Sequence, residues 1–360
     1  MAKAFDTVDH KILLEKLEHY GVRGQSYKWF ESYLRDRKQF VTYNNTISTS
    51  KPITHSVPQG SLLGPLLFNI YINDIINVPQ HLTSILFADD SCFYISGSTI
   101  EPLINYINFD LENIHRWLAT NKLTLNIDKS HYVVFTRKNL SRHLIIRNPL
   151  KINDNILERL NETNFLGVNL TYNLSWKNHI NNLVNKVNKY CSILYLTRDS
   201  LTLSSLKLIY HSVIYSSISY CNIIWAKAPQ VHINKLFIAQ KRIVRTIKNR
   251  SRFYHTNEDF KSLSILKIND INVYFSCIFA YKSLNLITHP FNYFTFPNRQ
   301  LHNLRYSDNL RIPFTRSTQG QSSPSYYICH YWNRLPPVIR YKPSVASFKF
   351  SLKQYLLSQY

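Results

Sequence analysis

The sequence predicts an α+β fold: an antiparallel sheet with helices on one side in the first half, then a helical second half ending in a basic C-terminal region. Three observations support this. Up to about residue 180, short runs rich in β-branched and aromatic residues alternate with stretches of helical periodicity. The sharpest run, Ser84-Ile-Leu-Phe-Ala-Asp-Asp-Ser-Cys-Phe-Tyr-Ile95, reads as a β-hairpin with two acids at its tip. Charge is also unevenly divided, residues 1–180 carrying 19 Lys and Arg against 16 Asp and Glu and residues 181–360 carrying 24 against 5.

The elements follow in chain order. Residues 1–43 read as a strand end and two helices. Asp9 caps the first, whose apolar positions Ile12, Leu13, Leu17 and Tyr20 recur at helical spacing before Gly21. The second runs from Gln25 to Arg35 with Trp29, Phe30 and Tyr33 as its core stripe. Residues 39–57 look like a hairpin, and Pro58 to Pro65 is a breaker-rich loop before a helix over Leu66–Ile76. After the Asp-Asp hairpin, Leu103, Ile107, Leu111, Ile114 and Leu118 mark a helix from Pro102 to Asn121, and Tyr132–Phe135 reads as a strand. A helical region extends to about residue 250 and closes with Lys241-Arg-Ile-Val-Arg-Thr-Ile-Lys-Asn-Arg-Ser-Arg252. Within it Ile243, Val244 and Ile247 make one face apolar, while Lys241, Arg242, Arg245, Lys248, Arg250 and Arg252 make the rest cationic. Such a face suits a nucleic-acid backbone, but a nuclear-localisation patch or a merely solvated face has the same pattern. Aromatic and basic residues alternate from Phe291 to Arg311, Ser317 to Ser325 is linker-like, and Phe348, Leu352 and Leu356 mark a last helix.

Composition narrows the functional classes. With 360 residues, 44% of them hydrophobic, the chain can bury a core and form two or three domains, which excludes a disordered tail. A net charge of +22, concentrated in the second half, invites a polyanion such as nucleic acid. The cysteines at 92, 191, 221, 277 and 329 are odd in number and widely spaced, which argues against a disulfide framework and points to reduced thiols in the nucleus or cytoplasm. Met1-Ala-Lys-Ala-Phe-Asp6 has no apolar run of the signal-peptide kind. Leu208–Ala226 lacks Lys, Arg, Asp and Glu but contains His211, Asn222 and four serines, so a buried helix is expected there and no membrane partner.

Adjacent carboxylates such as Asp89 and Asp90 repel, and a pair held between buried strands needs a cation to neutralise it. An ordinary aspartate turn is the alternative for an isolated pair. Here the surroundings decide. In order along the chain stand Ala4-Phe-Asp-Thr-Val-Asp-His10, Ser56-Val-Pro-Gln-Gly-Ser-Leu-Leu-Gly-Pro65, the Asp89-Asp90 hairpin, Asn121-Lys-Leu-Thr-Leu-Asn-Ile-Asp-Lys129 and Phe165-Leu-Gly-Val-Asn-Leu170. Together these closely resemble the palm motifs of reverse transcriptases from non-long-terminal-repeat (LINE-type, jockey-like) retrotransposons. Tyr331-Trp-Asn-Arg-Leu-Pro-Pro337 resembles the family's tail.

The resemblance implies a right-hand polymerase fold, with a partial palm over residues 1–180, a helical thumb over 181–255 and a basic C-terminal region over 256–360. It implies RNA-directed DNA polymerase activity by two-metal nucleotidyl transfer, with Mg2+ as cofactor and an RNA template, a DNA primer and deoxynucleoside triphosphates as partners. Asp89 and Asp90 match metal-binding catalytic positions, and Lys129 matches the lysine that assists the leaving pyrophosphate, although a surface lysine is the simpler reading of it. Phe5 matches the aromatic under the sugar, and Gln59 and Gly60 match the pair that positions template base and nucleotide. Residues 165–180 resemble the hairpin that grips the primer end. Where relatives carry glycine, this chain has Ser56.

In the family the partner carboxylate lies six residues before the position of Asp6. Sliding Asp6 into that place would cross roughly 9 Å of helix or 20 Å of strand, far more than a magnesium–oxygen bond of about 2.0–2.1 Å tolerates. The chain is therefore expected to be a fragment of a retrotransposon polyprotein, inactive as it stands. A non-enzymatic RNA- or DNA-binding relic is the main alternative. A two-metal hydrolase on Asp89 and Asp90 is the other, and no histidine or glutamate cluster accompanies it in the sequence.

Overall fold

The structure is a computed structural model that describes residues 1, 3–58, 60–136, 148–285, 294 and 309–360. These residues form two compact units, Met1–Asn161 and Glu162–Tyr360.

In the first unit a 3-10 turn at Ala4–Asp6 leads to α1 (His10–His19) and α2 (Gly24–Leu34). Helix α1 starts where the sequence placed it, because the Asp9 carboxylate accepts the Lys11 and Ile12 amides at 2.9 and 3.1 Å. The α2 stripe is only partly core. Leu34 is buried and Phe30 and Tyr33 are half-buried, but Trp29 is 52% exposed and stacks on Tyr33 with ring centroids 5.5 Å apart. One flat neighbour satisfies the indole without a core.

Strands β1 (Lys38–Gln39), β2 (Thr42–Tyr43), β3 (Thr46–Ile47) and β4 (Lys51–Pro52) make the expected hairpin region as two antiparallel ladders, β2 with β3 and β1 with β4. Asn44 and Asn45 turn the inner one, both at positive φ, the chemistry of a two-residue hairpin turn. Helix α3 (Leu63–Ile72) begins three residues earlier than expected, with Pro65 in its first turn where no helical hydrogen bond is lost. It buries Leu67, Phe68, Tyr71 and Ile72 completely or nearly so, each worth about 1.5–3 kcal/mol.

Strands β5 (Thr83–Phe87) and β6 (Asp90–Tyr94) form the predicted antiparallel hairpin around Ala88 and Asp89. The strands are not buried on both faces, however. Leu86 and Phe93 pack on the core, whereas Ile85, Phe87 and Tyr94 are 45%, 61% and 50% exposed on the other face. Helix α4 (Ile100–Thr120) buries Ile104, Leu111, Ile114 and Leu118, close to the predicted stripe.

A 3-10 turn over Ile127–Lys129 precedes β7 (His131–Tyr132), so the strand expected over Tyr132–Phe135 is confined to two residues. After β8 (Lys151–Ile152), β9 (Asn155–Ile156) and β10 (Glu158–Arg159), β10 pairs with β7 in parallel. The chain thus mixes helix and strand as expected, but the described strands form six separate two-stranded ladders, one of them parallel, and no continuous antiparallel sheet. The strands span only two to five residues, too few to propagate a ladder across several neighbours.

The second unit opens with the antiparallel hairpin β11 (Glu162–Phe165) and β12 (Val168–Thr171), followed by α5 (Lys177–Thr197). Residues 162–180, grouped by sequence with the first domain, pack within this unit. Helix α6 (Leu203–Ile209) runs through a π-helical turn over Tyr210–Tyr215 into α7 (Ser216–Ser219), and after Cys221 at φ 49° comes α8 (Asn222–Trp225). The uncharged stretch Leu208–Ala226 is therefore broken at Tyr220–Cys221 and is not one helix.

The remaining helices are α9 (Gln230–Ile247), α10 (Asn257–Leu263), α11 (Ile268–Asn285), α12 (Thr318–Gln321), α13 (Pro324–Arg334), α14 (Pro337–Arg340) and α15 (Val345–Ser358). The linker-like Ser317–Ser325 thus contains α12, capped by Ser317, and the start of α13. Buried Gln240 ties three elements together: its Nε2 donates to Tyr210 Oη and Leu266 O, and its Oε1 accepts from Ile268 N. Trp332 is buried and the Asn333 side chain clamps both backbone groups of Leu310, so the Tyr331–Pro337 stretch serves packing. One core runs through residues 181–255 and 256–360 alike.

Among the described residues no single helix is long and apolar enough to cross a membrane; only the bent pair α10 and α11 has the length and composition together. The five cysteines are free. The aromatic and basic alternation expected over Phe291–Arg311 falls largely outside the described residues.

Candidate functional site

Three segments far apart in sequence converge on one cleft in the first unit. The 3-10 turn at Ala4–Asp6 supplies Lys3, Ala4, Phe5 and Asp6 beside Met1, the β5–β6 turn supplies Asp89, and the segment before β7 supplies Asn126 and Lys129, around about 480 Å³ of open volume. Each is held by local chemistry. The Phe5 ring packs on Phe68 of α3 with centroids 4.6 Å apart. Ala88 takes φ 50°, which lets a two-residue turn carry Asp89 at its tip. The Asn126 side chain accepts the Lys129 amide at 3.2 Å and fixes the turn that presents the lysine.

Acidic groups elsewhere in the first unit hold the elements that carry these segments. Asp110 on α4 is fully buried and accepts three backbone amides, Gln80 at 2.9 Å, His81 at 2.7 Å and Leu82 at 2.8 Å, which anchors the entry to β5. Asp9 caps α1 and also takes Lys122 Nζ at 2.6 Å, with His55 Nε2 3.5 Å away. Burial pushes the Asp9 carboxyl upward, but the Lys122 ammonium and the helix amides outweigh it and hold the group below the usual carboxylate range. Asp74, in the 3-10 turn after α3, joins Lys16 at 2.6 Å and Trp117 Nε1 at 3.1 Å, which ties α1 and α4 to that turn.

The loop before α3 is pinned to the Phe5 segment: Val57 N donates to Phe5 O at 3.0 Å, Ser56 N donates to Val8 O at 2.8 Å, and His10 Nε2 lies 2.8 Å from Ser56 O. Ser56 sits at φ 95°, a region that favours glycine. Gly60 has φ +80° and a Cβ there would meet nothing within 4 Å, so its backbone requires glycine while the space above it is open. Gly64 is the close-packed one, since a Cβ would stand 2.7 Å from Pro58 O. Gln59 lies outside the described residues.

The structure thus brings Phe5, Asp89 and Lys129 together, and adds Asp6, Lys3 and Asn126, which sequence reasoning had not placed there. Asp90, the first residue of β6, faces Phe87 across the ladder and is not among the cleft-lining residues. Both acids of the hairpin are exposed, contrary to the expectation of a pair between buried strands. As a metal site the donor set is incomplete: Asp6 and Asp89 are the carboxylates of the cleft, and no group of three or more His, Cys, Asp or Glu side chains suited to an ion occurs among the described residues. These donors do not fit a two-ion centre, whose paired ions must share several carboxylates.

In the second unit α9 buries Ile243, Val244 and Ile247 as expected. The six cations in and just after it differ in their surroundings. Arg245 Nε donates to Tyr254 O at 3.0 Å, and Arg250 lies 3.5 Å from buried Asp259 and over the Tyr254 ring. Lys241 stands over Phe237 at 4.4 Å. Arg242, Lys248 and Arg252 have no acidic partner among the described residues, and Arg242 and Arg252 are exposed.

Residues 1–170 match the family model for reverse transcriptase (RNA-dependent DNA polymerase). The chain is 26% identical over 284 residues to the RNA-directed DNA polymerase from mobile element jockey of Drosophila funebris, a match covering 74% of this chain and 30% of that protein. It is 27% identical over 277 residues to the probable RNA-directed DNA polymerase from transposon X-element of Drosophila melanogaster, covering 74% and 30%. It is 26% identical over 263 residues to the corresponding protein of transposon BS from the same fly, covering 69% and 28%. The matched stretch therefore spans less than a third of the length of these relatives.

Proposed function

Because residues 1–170 belong to the reverse-transcriptase family, with the polymerases of jockey-like non-long-terminal-repeat elements as relatives, we propose that this chain carries the palm, thumb and C-terminal parts of such an RNA-directed DNA polymerase. The observation that carries the proposal is the convergence of Phe5, Asp89 and Lys129, up to 124 positions apart, on one cleft. In that cleft Phe5 forms the platform under the nucleotide sugar, and its packing on Phe68 keeps the platform rigid. Lys129 supplies a cation to the phosphates of a bound nucleotide, and Asp89 supplies a carboxylate at the primer end. The loop through Gly60 borders the templating base, and the exposed cations in and just after α9 bind nucleic-acid phosphates.

Enzymes of this family use a divalent metal ion, and magnesium is the ion proposed for the polyprotein. Because Asp6 and Asp89 do not make a two-ion centre, we assign the chain on its own the binding of RNA template and DNA primer without synthesis. Primer extension with all four deoxynucleotides and magnesium, using an RNA template with and without Asp89→Ala, tests this. No extension is expected from either protein, while both bind the primer–template in a salt-dependent way. The second reading, an RNA- or DNA-binding relic, is favoured by the unpaired cations of α9 and differs in requiring no function of the cleft.

A further inference from the structure

The turn that follows α9 has a geometry its fold does not require. Helix α9 ends at Ile247 with Lys248 as its C-cap, and Asn249 beyond it takes φ 50° while Arg250 N donates back to Arg245 O at 2.8 Å. The turn beyond is tied on both sides: Arg245 Nε donates to Tyr254 O, Tyr254 N donates to Ser251 O at 3.2 Å, and Arg250 bridges the Tyr254 ring and Asp259. At its apex Phe253 is 87% exposed, with the Arg252 guanidinium 6.0 Å from its ring. An aromatic ring that buries almost nothing contributes nothing to the core, yet here it is presented on a braced turn.

Along the chain the charge around it is basic up to exposed Glu258 in the first turn of α10. No Asp or Glu occurs between Asp199 and Glu258, and Asp259 is already paired with Arg250. Lys248 and Arg252 are left to face a polyanion. Exposed aromatic faces beside arginine or lysine recur where bases of unpaired strands stack, because a base in a duplex already has both faces covered.

We propose that the Asn249–His255 turn is a subsite for single-stranded nucleic acid, in which Phe253 stacks on an unpaired base and Arg252 and Lys248 hold the adjoining phosphates. This rests on the reading of α9 as a nucleic-acid surface and adds to it a selection for unpaired strands. The rigid turn lowers the entropy cost of stacking, since Phe253 loses only side-chain freedom.

The test is fluorescence anisotropy of the full chain with a labelled oligouridylate and with a blunt RNA duplex of equal length, each across a salt series. Phe253→Ala and Phe253→Leu are expected to weaken oligouridylate binding roughly tenfold, leaving duplex affinity and the salt slope unchanged, and Phe253→Trp to restore it. Arg252→Ala is expected to lower the salt slope by about one. Because Phe253 is exposed, these variants keep the fold, which circular dichroism checks. Wild-type affinity in Phe253→Ala, full affinity in Phe253→Leu, or an equal loss on duplex overturns the proposal while leaving the α9 reading in place. Absence of salt-dependent binding by the wild-type chain to either RNA overturns both.

Discussion

At the scale of single residues, Ser56 shows a cost the chain carries next to its cleft. Its φ of 95° is one that side-chain-bearing residues avoid, and its amide is committed to Val8 O. Replacing it by glycine is expected to raise stability by about 1 kcal/mol, read as a higher midpoint in urea unfolding; a lower midpoint would mean that the Ser56 hydroxyl contact to Val57 O outweighs the strain. Asp9 gives a prediction in pH. Its folded carboxyl titrates below the ordinary value of about 3.9, so its contribution is complete above that value and is lost as pH falls through the folded one. Asp9→Asn should flatten the acid side of the stability curve, with both proteins converging at low pH. The capping role of Asp9 was legible, because an acid just before an apolar helical stripe is a local signal. Its bond to Lys122 was not, since 113 positions separate the two and no local pattern links them.

At the scale of elements, the β5–β6 hairpin was readable in its strands and turn, while its exposure was not. Alternation tells which residues share a face but not whether a second layer covers that face, and here Ile85, Phe87 and Tyr94 remain uncovered. Its anchor was also invisible: Asp110 lies within an amphipathic helix and reads as a surface acid, yet it is fully buried and gathers three amides. Asp110→Ala would leave those amides unpaired and is expected to cost about 3 kcal/mol, whereas Glu112→Ala one turn-face away should cost under about 0.5 kcal/mol. Thermal unfolding of the two variants distinguishes them. For α9 the amphipathic pattern was plain, but the sequence could not separate its tethered cations from its free ones. Arg245→Ala and Arg250→Ala are expected chiefly to lower melting temperature, because they bind Tyr254 O and Asp259. Arg242→Ala and Arg252→Ala should instead each reduce the salt slope of RNA binding by about one.

At the scale of the whole molecule, motifs in a fixed order pointed to the family whose model residues 1–170 match, because chemistry constrains those residues wherever the backbone carries them. They did not reveal the short, separate ladders in which this chain holds its strands, nor the one core shared by residues 181–255 and 256–360. Phe5, Asp89 and Lys129 were nominated by resemblance and gathered by packing, while Asp6, weighed in the sequence as a partner carboxylate and set aside, and Asn126, not singled out there, also line the cleft. We propose that this cleft has the layout of a nucleotidyl-transfer site but too few carboxylates to perform the reaction in this chain. Binding and extension measured on the same RNA template and DNA primer, in magnesium, test it most directly. Salt-dependent binding without nucleotide incorporation, unchanged by Asp89→Ala, is the expected result. Magnesium-dependent incorporation by the wild-type chain that disappears in Asp89→Ala would contradict it.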